Sequence, residues 1–168
     1  MIRFLIASGC LALFALSLYG MRVGWRHRGE RQSNLGPLPQ IPATLSPPLL
    51  PPLTGLYVGT TFADAWQDRV VADRLGLRAA CTATLTEQGL LIDRQGTAPV
   101  FVPTAAIEAA GVGAGLAGKV TGAGGLLVVR WRLGDAPSDR RLDTGLLADD
   151  KRVYPDWVQA IDRLVPAV

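Results

Sequence analysis

Residues 79–94 read AACTATLTEQGLLIDR, and this stretch decides the fold class. Ala79, Cys81, Ala83 and Leu85 fall on one side of an extended chain, and Thr82, Thr84 and Thr86 on the other. Alternation of period two marks a strand with one buried face. Thr86-Glu87-Gln88-Gly89 then turns the chain into Leu90-Leu91-Ile92-Asp93-Arg94, which predicts a hairpin.

Working outward, the same signature repeats. Leu56-Tyr57-Val58-Gly59-Thr60-Thr61-Phe62 reads as a first strand. Arg94-Gln95-Gly96-Thr97 is a turn into Val100-Phe101-Val102, and Ile107 begins a further short element. Residues 126–133 form the strongest strand, with Leu127, Val129, Trp131 and Leu133 on one face and Val128, Arg130 and Arg132 on the other. Residues 134–139 are a turn, followed by a strand over 141–147. Residues 64–75 read instead as an amphipathic helix, with Trp66, Val70, Val71 and Leu75 inward and Gly76 as its stop. The period changes again at the end of the chain. Pro155 suits a helix start, Trp157, Ile161 and Leu164 follow at helical spacing, and Pro166 stops the run. Short antiparallel strands closed by one helix predict a mainly β domain, a small barrel or sandwich with the helix over an open end.

Ahead of this domain, residues 4–21 read FLIASGCLALFALSLYGM, 18 residues without a charge. As a helix they would rise roughly 27 Å, close to the hydrocarbon thickness of a bilayer. Arg22, Arg26, Arg28 and Arg31 follow as a basic juxtamembrane collar, against Arg3 alone in front. The apolar run is too long, and its charge too far behind, for a cleaved signal peptide. Cys10 is read as a small residue of the membrane helix, since the apolar stretch continues well past it. The positive-inside rule then predicts a single-pass anchor in the cell (inner) membrane, with the N-terminus outside and the C-terminal domain cytoplasmic.

Residues 32–54 hold seven of the 12 prolines and predict an extended linker. PLPQIP and PPLLPP within it resemble ligands for aromatic-lined grooves, but the segment is read as a plain spacer. The expected organisation is anchor and collar over 1–31, linker over 32–54 and a β domain over 55–168.

Composition narrows the function. The net charge of +3 is misleading, because residues 1–31 hold five Arg and one Glu. That leaves 12 basic against 13 acidic residues in 32–168, no footprint for nucleic acid. Two cysteines, one in the apolar run and one in the domain, make no disulfide framework. Cys81 lies on the apolar face of its strand and reads as a core thiol. His27 is the only histidine and lies in the collar, so the domain has no imidazole base or ligand. No catalytic, cofactor or metal residues are expected.

The glycine-rich run GVGAGLAGKVTGAGG at 111–125 tempts a different conclusion. Gly113, Gly115 and Gly118 match a dinucleotide fingerprint, and Gly113 to Lys119 match most of a phosphate loop. Both motifs need a strand before and a helix after. Here a weak segment precedes, the strongest strand follows, and Val120 stands where the magnesium-binding hydroxyl belongs. The run is expected to be a loop between antiparallel strands. Arg130 and Arg132 are a candidate interaction face, although an ordinary outer strand face explains them as well.

Together these motifs resemble small actinobacterial proteins with one N-terminal anchor and a pleckstrin-homology-like (PH-like) domain. The resemblance rests on Val58-Gly59-Thr60-Thr61 with Asp64-Ala65-Trp66-Gln67-Asp68-Arg69, and on Thr84-Leu85-Thr86-Glu87-Gln88-Gly89. It continues through Phe101-Val102-Pro103, Ala117-Gly118-Lys119-Val120, Leu127-Val128-Val129-Arg130-Trp131 and Leu142-Asp143-Thr144-Gly145. It implies a seven-stranded barrel capped by the C-terminal helix and no known catalytic residues. Such proteins are often labelled export or transport proteins. Phosphoinositide-binding PH-like domains cluster Lys and Arg near the first hairpin. Asp64, Asp68 and Asp73 stand there beside Arg69 and Arg74, which argues against specific inositol-phosphate binding. The expected function is a membrane-tethered scaffold that docks a cytoplasmic protein partner, without nucleic acid or cofactor. The alternative is an accessory subunit of a membrane transporter or export complex.

If the glycine run holds no phosphate, Lys119→Ala leaves stability and partner binding unchanged. Equilibrium dialysis with labelled ATP and GTP checks this, and Lys119-dependent binding of either would reinstate the phosphate loop.

Overall fold

The computed structural model describes residues 9, 11, 13–22, 36–63, 65–116, 119–120, 124–134 and 140–165. The chain divides into two compact units, Met1–Asn34 and Leu35–Val168. In the first unit the described residues are helical, and Leu13, Phe14, Leu16, Tyr19 and Met21 are exposed. No helix among the described residues is long and apolar enough to cross a membrane. Of the collar, Arg22 is helical and exposed, while Arg26, Arg28 and Arg31 lie outside the described residues.

The second unit is built from strands β1 (Leu53–Phe62), β2 (Ala65–Arg69), β3 (Ala79–Thr86), β4 (Gly89–Arg94), β5 (Val100–Pro103), β6 (Ile107–Gly113), β7 (Gly115–Leu116), β8 (Lys119–Val120), β9 (Leu126–Arg132) and β10 (Arg141–Ala148). Helix α1 (Tyr154–Leu164) ends it. The sheet runs β5-β4-β3-β1-β10-β9-β6, with β2 added to β1, and every pairing is antiparallel. β7 and β8 make a separate hairpin. The predicted β3–β4 hairpin is present, with Thr86 opposite Gly89. Cys81, Ala83 and Leu85 point into the core with Leu90, Ile92, Val100, Val102, Leu127, Val129 and Trp131.

Central strand β1 carries a bulge between Tyr57 and Gly59, where its register against β10 shifts. The extra residue changes the alternation, so Tyr57 and Thr60, three apart, both face inward. Gly59, at φ 144°, takes a backbone conformation that a side chain would resist. The Tyr57 hydroxyl donates to the Leu75 carbonyl at 2.7 Å and lies 2.6 Å from Thr60 Oγ1. Thr60 Oγ1 is 2.7 Å from Thr144 Oγ1, which accepts from Trp131 Nε1 at 2.9 Å. Since the Tyr57 proton is committed to Leu75, the chain has one direction. Trp131 donates to Thr144, Thr144 to Thr60, and Thr60 to Tyr57, each bond polarising the next.

Residues 64–75 do not form the expected helix. Residues 65–69 are strand β2, which pairs with the end of β1. A 3-10 turn follows at Ala72–Arg74, with Asp73 and Arg74 at φ 49° and 57°. β3 pairs with β1 only as far as Tyr57, so the remaining edge of β1 carries main-chain groups that need partners. β2 pairs with this edge, Thr60 N–H donates to Leu75 O, and Val70 N–H donates to Thr60 O. Val70 and Leu75 are buried as expected, but Val71 is 57% exposed. The demand of a sheet edge has overridden helical periodicity.

The proline-rich segment is also more than a spacer where it is described. β1 begins at Leu53, inside the expected linker. Before it, Leu38 and Leu50 pack against the core, Leu49 N–H donates to Leu85 O at 2.9 Å, and Ser46 N–H donates to Gln88 Oε1 at 2.9 Å. Leucines between the prolines supply apolar area, and the Leu49 amide extends the β1 side of the ladder along β3.

Helix α1 opens with Pro155 in its first turn. Trp157 and Ile161 are fully buried in the same core as β5 and β6, while Leu164 is half-buried. Tyr154 anchors the first turn by accepting from Ala148 N–H at 3.0 Å. Trp157→Ala is expected to cost about 3–5 kcal/mol. Urea denaturation of the full chain in detergent measures this, and an unchanged midpoint would show that the helix is not part of the core.

Candidate functional site

β6 and β5 end the sheet. Among the described residues β6 pairs with β9 alone, so its far edge carries main-chain groups without a ladder. The register fixes which way its residues face. Ala110 and Val112 lie opposite Val129 and Leu127, which point into the core. Ala109, Gly111 and Gly113 lie opposite Arg130, Val128 and Leu126, on the outer face. Val112 is nevertheless 56% exposed, because the core-side layer stops short beside it.

A cleft flanks this edge on each face. The inner one, about 570 Å³, lies between Val112 and the α1 residues Pro155, Val158, Gln159, Asp162 and Arg163. The outer one, about 360 Å³, lies over Gly111, Gly113, Leu116, Val128, Arg130 and Asp143. The glycine-rich run builds the outer wall. Leu116 folds over the outside of the sheet and makes a second small core with Val58 and Leu126. Gly145 makes room for it, since a Cβ there would stand 2.8 Å from Leu116 Cδ2. Strand β9 follows where a phosphate loop needs a helix. The loop expected over 111–125 is partly strand, since β6 runs through Gly113.

The two arginines of the expected interaction face are tied to carboxylates. Arg130 grips Asp143 as a fork, Nε to Oδ1 at 2.8 Å and Nη2 to Oδ2 at 2.9 Å. Arg132 Nε lies 3.1 Å from Glu108 Oε1, and Arg141 Nε lies 3.5 Å from Glu108 Oε2. The outer face beside β6 therefore carries charge of both signs, bound up laterally along the sheet.

Sequence reading missed the β6 edge, because glycine and alanine carry no strand propensity and the run looked like a loop. It also missed Arg94, which is buried. Its signal was present: Arg94 follows Leu90 and Ile92 at period two on the inner face. The guanidinium donates to Ala98 O from Nε at 3.0 Å and Nη2 at 2.7 Å, and from Nη1 to Arg74 O at 2.9 Å. It also stacks 4.9 Å from the Tyr57 ring centroid.

Among the described residues of the core, the Cys81 thiol and the Tyr57 phenol are both held protonated to unusually high pH. Burial pushes the Cys81 thiol from 9.0 up to about 11. Burial likewise pushes the Tyr57 phenol from 10.0 to about 12, against the pull of its Thr60 hydrogen bond and of Arg94. Among the described residues no cluster of His, Cys, Asp and Glu could hold a metal ion. Both raised groups keep their protons to higher pH in the fold than in the unfolded chain. Their stabilisation is full below pH 9 and is lost as pH rises through about 11 to 12. Urea midpoints should fall across that window, and Cys81→Ala should flatten the first part of the fall. A wild-type midpoint that stays level to pH 11 would refute the burial of both groups.

A comparison with curated proteins finds no match. Residues 35–162 match the family described as bacterial PH domain-like, a span that takes in the strap over 36–52, the whole sheet and most of α1. An antiparallel sheet closed by a C-terminal helix is the fold this match requires, and the chain belongs to the bacterial PH domain-like family.

Proposed function

We propose that this protein is a membrane-tethered, non-enzymatic binding module that docks a cytoplasmic protein partner at the inner membrane. One observation carries the reading: among the described residues of this PH-like domain, the outer edge of β6 has no strand partner and lies between two clefts. PH-like domains are generally binding modules, and what they bind is decided by the surface and not by the fold. On the outer face beside this edge Arg130 pairs with Asp143, and Arg132 and Arg141 pair with Glu108, which suits a surface that is contacted by a partner. The tether is supported by the uncharged run 4–21 and by the four arginines behind it. Each arginine near an anionic leaflet adds about 1 kcal/mol to its hold on the cytoplasmic face.

Two measurements on the full chain test this. A reporter fused after Val168 is expected to behave as cytoplasmic, and a periplasmic signal overturns the orientation. Affinity purification from solubilised membranes is expected to bring down a soluble protein. Recovery of polytopic membrane proteins would favour an accessory subunit of a transporter or export complex, and recovery of neither would end the docking reading.

A further inference from the structure

The bare edge also constrains the chemistry of what docks there. We infer that β6 receives an extended segment of a partner protein, which adds as a strand along residues 107–113 and places large apolar side chains alternately into the two clefts. This rests on the docking function proposed above.

Main-chain groups of an edge strand are satisfied best by another extended chain, which supplies donors and acceptors at the same spacing. Successive residues of such a chain point to opposite faces. Here the clefts flank one strand: Val112 borders both, the α1 residues close the inner one, and Gly111 with Val128 and Arg130 floors the outer one. An added strand would therefore send one set of residues toward Val158 and Gln159 of α1, and the other over Gly111 and Gly113. The edge is undefended: from Ala109 to Gly113 it carries no lysine, no proline and no side chain larger than valine.

The occupant follows from size and charge. A second copy pairing through the same edge would offer Ala109, Ala110, Gly111, Val112 and Gly113, side chains too small to fill clefts of about 570 and 360 Å³. The proline-rich segment of this chain is engaged at Leu85 and Gln88, on the β3–β4 hairpin, and its prolines lack the required donors. Each cleft is lined by one acidic and one basic residue, Asp162 with Arg163 and Asp143 with Arg130. A segment without net charge, apolar at every second residue, matches both.

Panning a displayed library of random heptapeptides against the full chain in detergent tests this. Enriched peptides are expected to carry large apolar residues at alternate positions and to slow amide hydrogen exchange within residues 107–113. Val112→Lys places a charge at the edge of the inner cleft on a side chain already exposed. It should weaken binding at least about tenfold with an unchanged melting temperature. Leu77→Lys, at an exposed apolar residue distant in sequence from the edge, should leave binding intact. No enrichment, protection confined to other strands, or binding indifferent to Val112→Lys would each overturn the assignment. If the partner recovered from membranes also survives Val112→Lys, the β6 assignment fails while the docking function stands.

Discussion

A positive charge sealed in the core organises this domain. The Arg94 guanidinium, 1% exposed, is held by main-chain carbonyls and by the face of Tyr57. Burying such a charge costs several kcal/mol unless hydrogen bonds replace its water. Those bonds come from the connections the domain most needs to restrain. The Arg74 and Asp73 carbonyls belong to two residues with positive φ, a conformation that costs a non-glycine residue about 1–3 kcal/mol. The Ala98 carbonyl belongs to the link between β4 and β5. One side chain thus ties the end of β4 to the turn ahead of β3. The same hydrogen bonds offset both the strain in the turn and the desolvation of the cation.

The bulge in β1 works from the other side of that junction. It brings Tyr57 and Thr60 to one face, and the hydroxyl chain they share with Thr144 and Trp131 ends on the Leu75 carbonyl. Segment 70–75 is therefore held twice, by Arg94 at its centre and by Tyr57 at its end. β1 stays central because one side pairs with β10 and the other with β3, then with Val70 and Leu75 at Thr60, and then with β2.

Helix α1 and the glycine-rich run leave β6 accessible by different means. The helix buries Trp157 and Ile161 but leaves Val112 half in water, so the inner cleft opens beside the edge. On the outer face Leu116 settles over Gly145 and Leu126 and stops short of Gly111. Small residues along β6 keep both clefts open. A bulky residue at Gly111 would fill the outer one. Glycine at 111 thus serves shape.

Much of the fold was legible in the sequence, for a physical reason. Where a strand has one face in the core and one in water, hydrophobicity itself records the period. β3, β4 and β9 could be read that way, β10 followed from the turn ahead of it, and α1 revealed itself by the change of period at Trp157 and Ile161. The apolar run 4–21 and its arginines are a property of the chain alone. Three features were settled only in three dimensions. Residues 65–69 became a strand because the end of β1 needed partners, a demand created by the register of β3 and invisible in local periodicity. The proline-rich segment lay down on β3 because its leucines found apolar surface there. The bare edge of β6 follows from strand order, since no residue in a sequence states which strand comes last in a sheet.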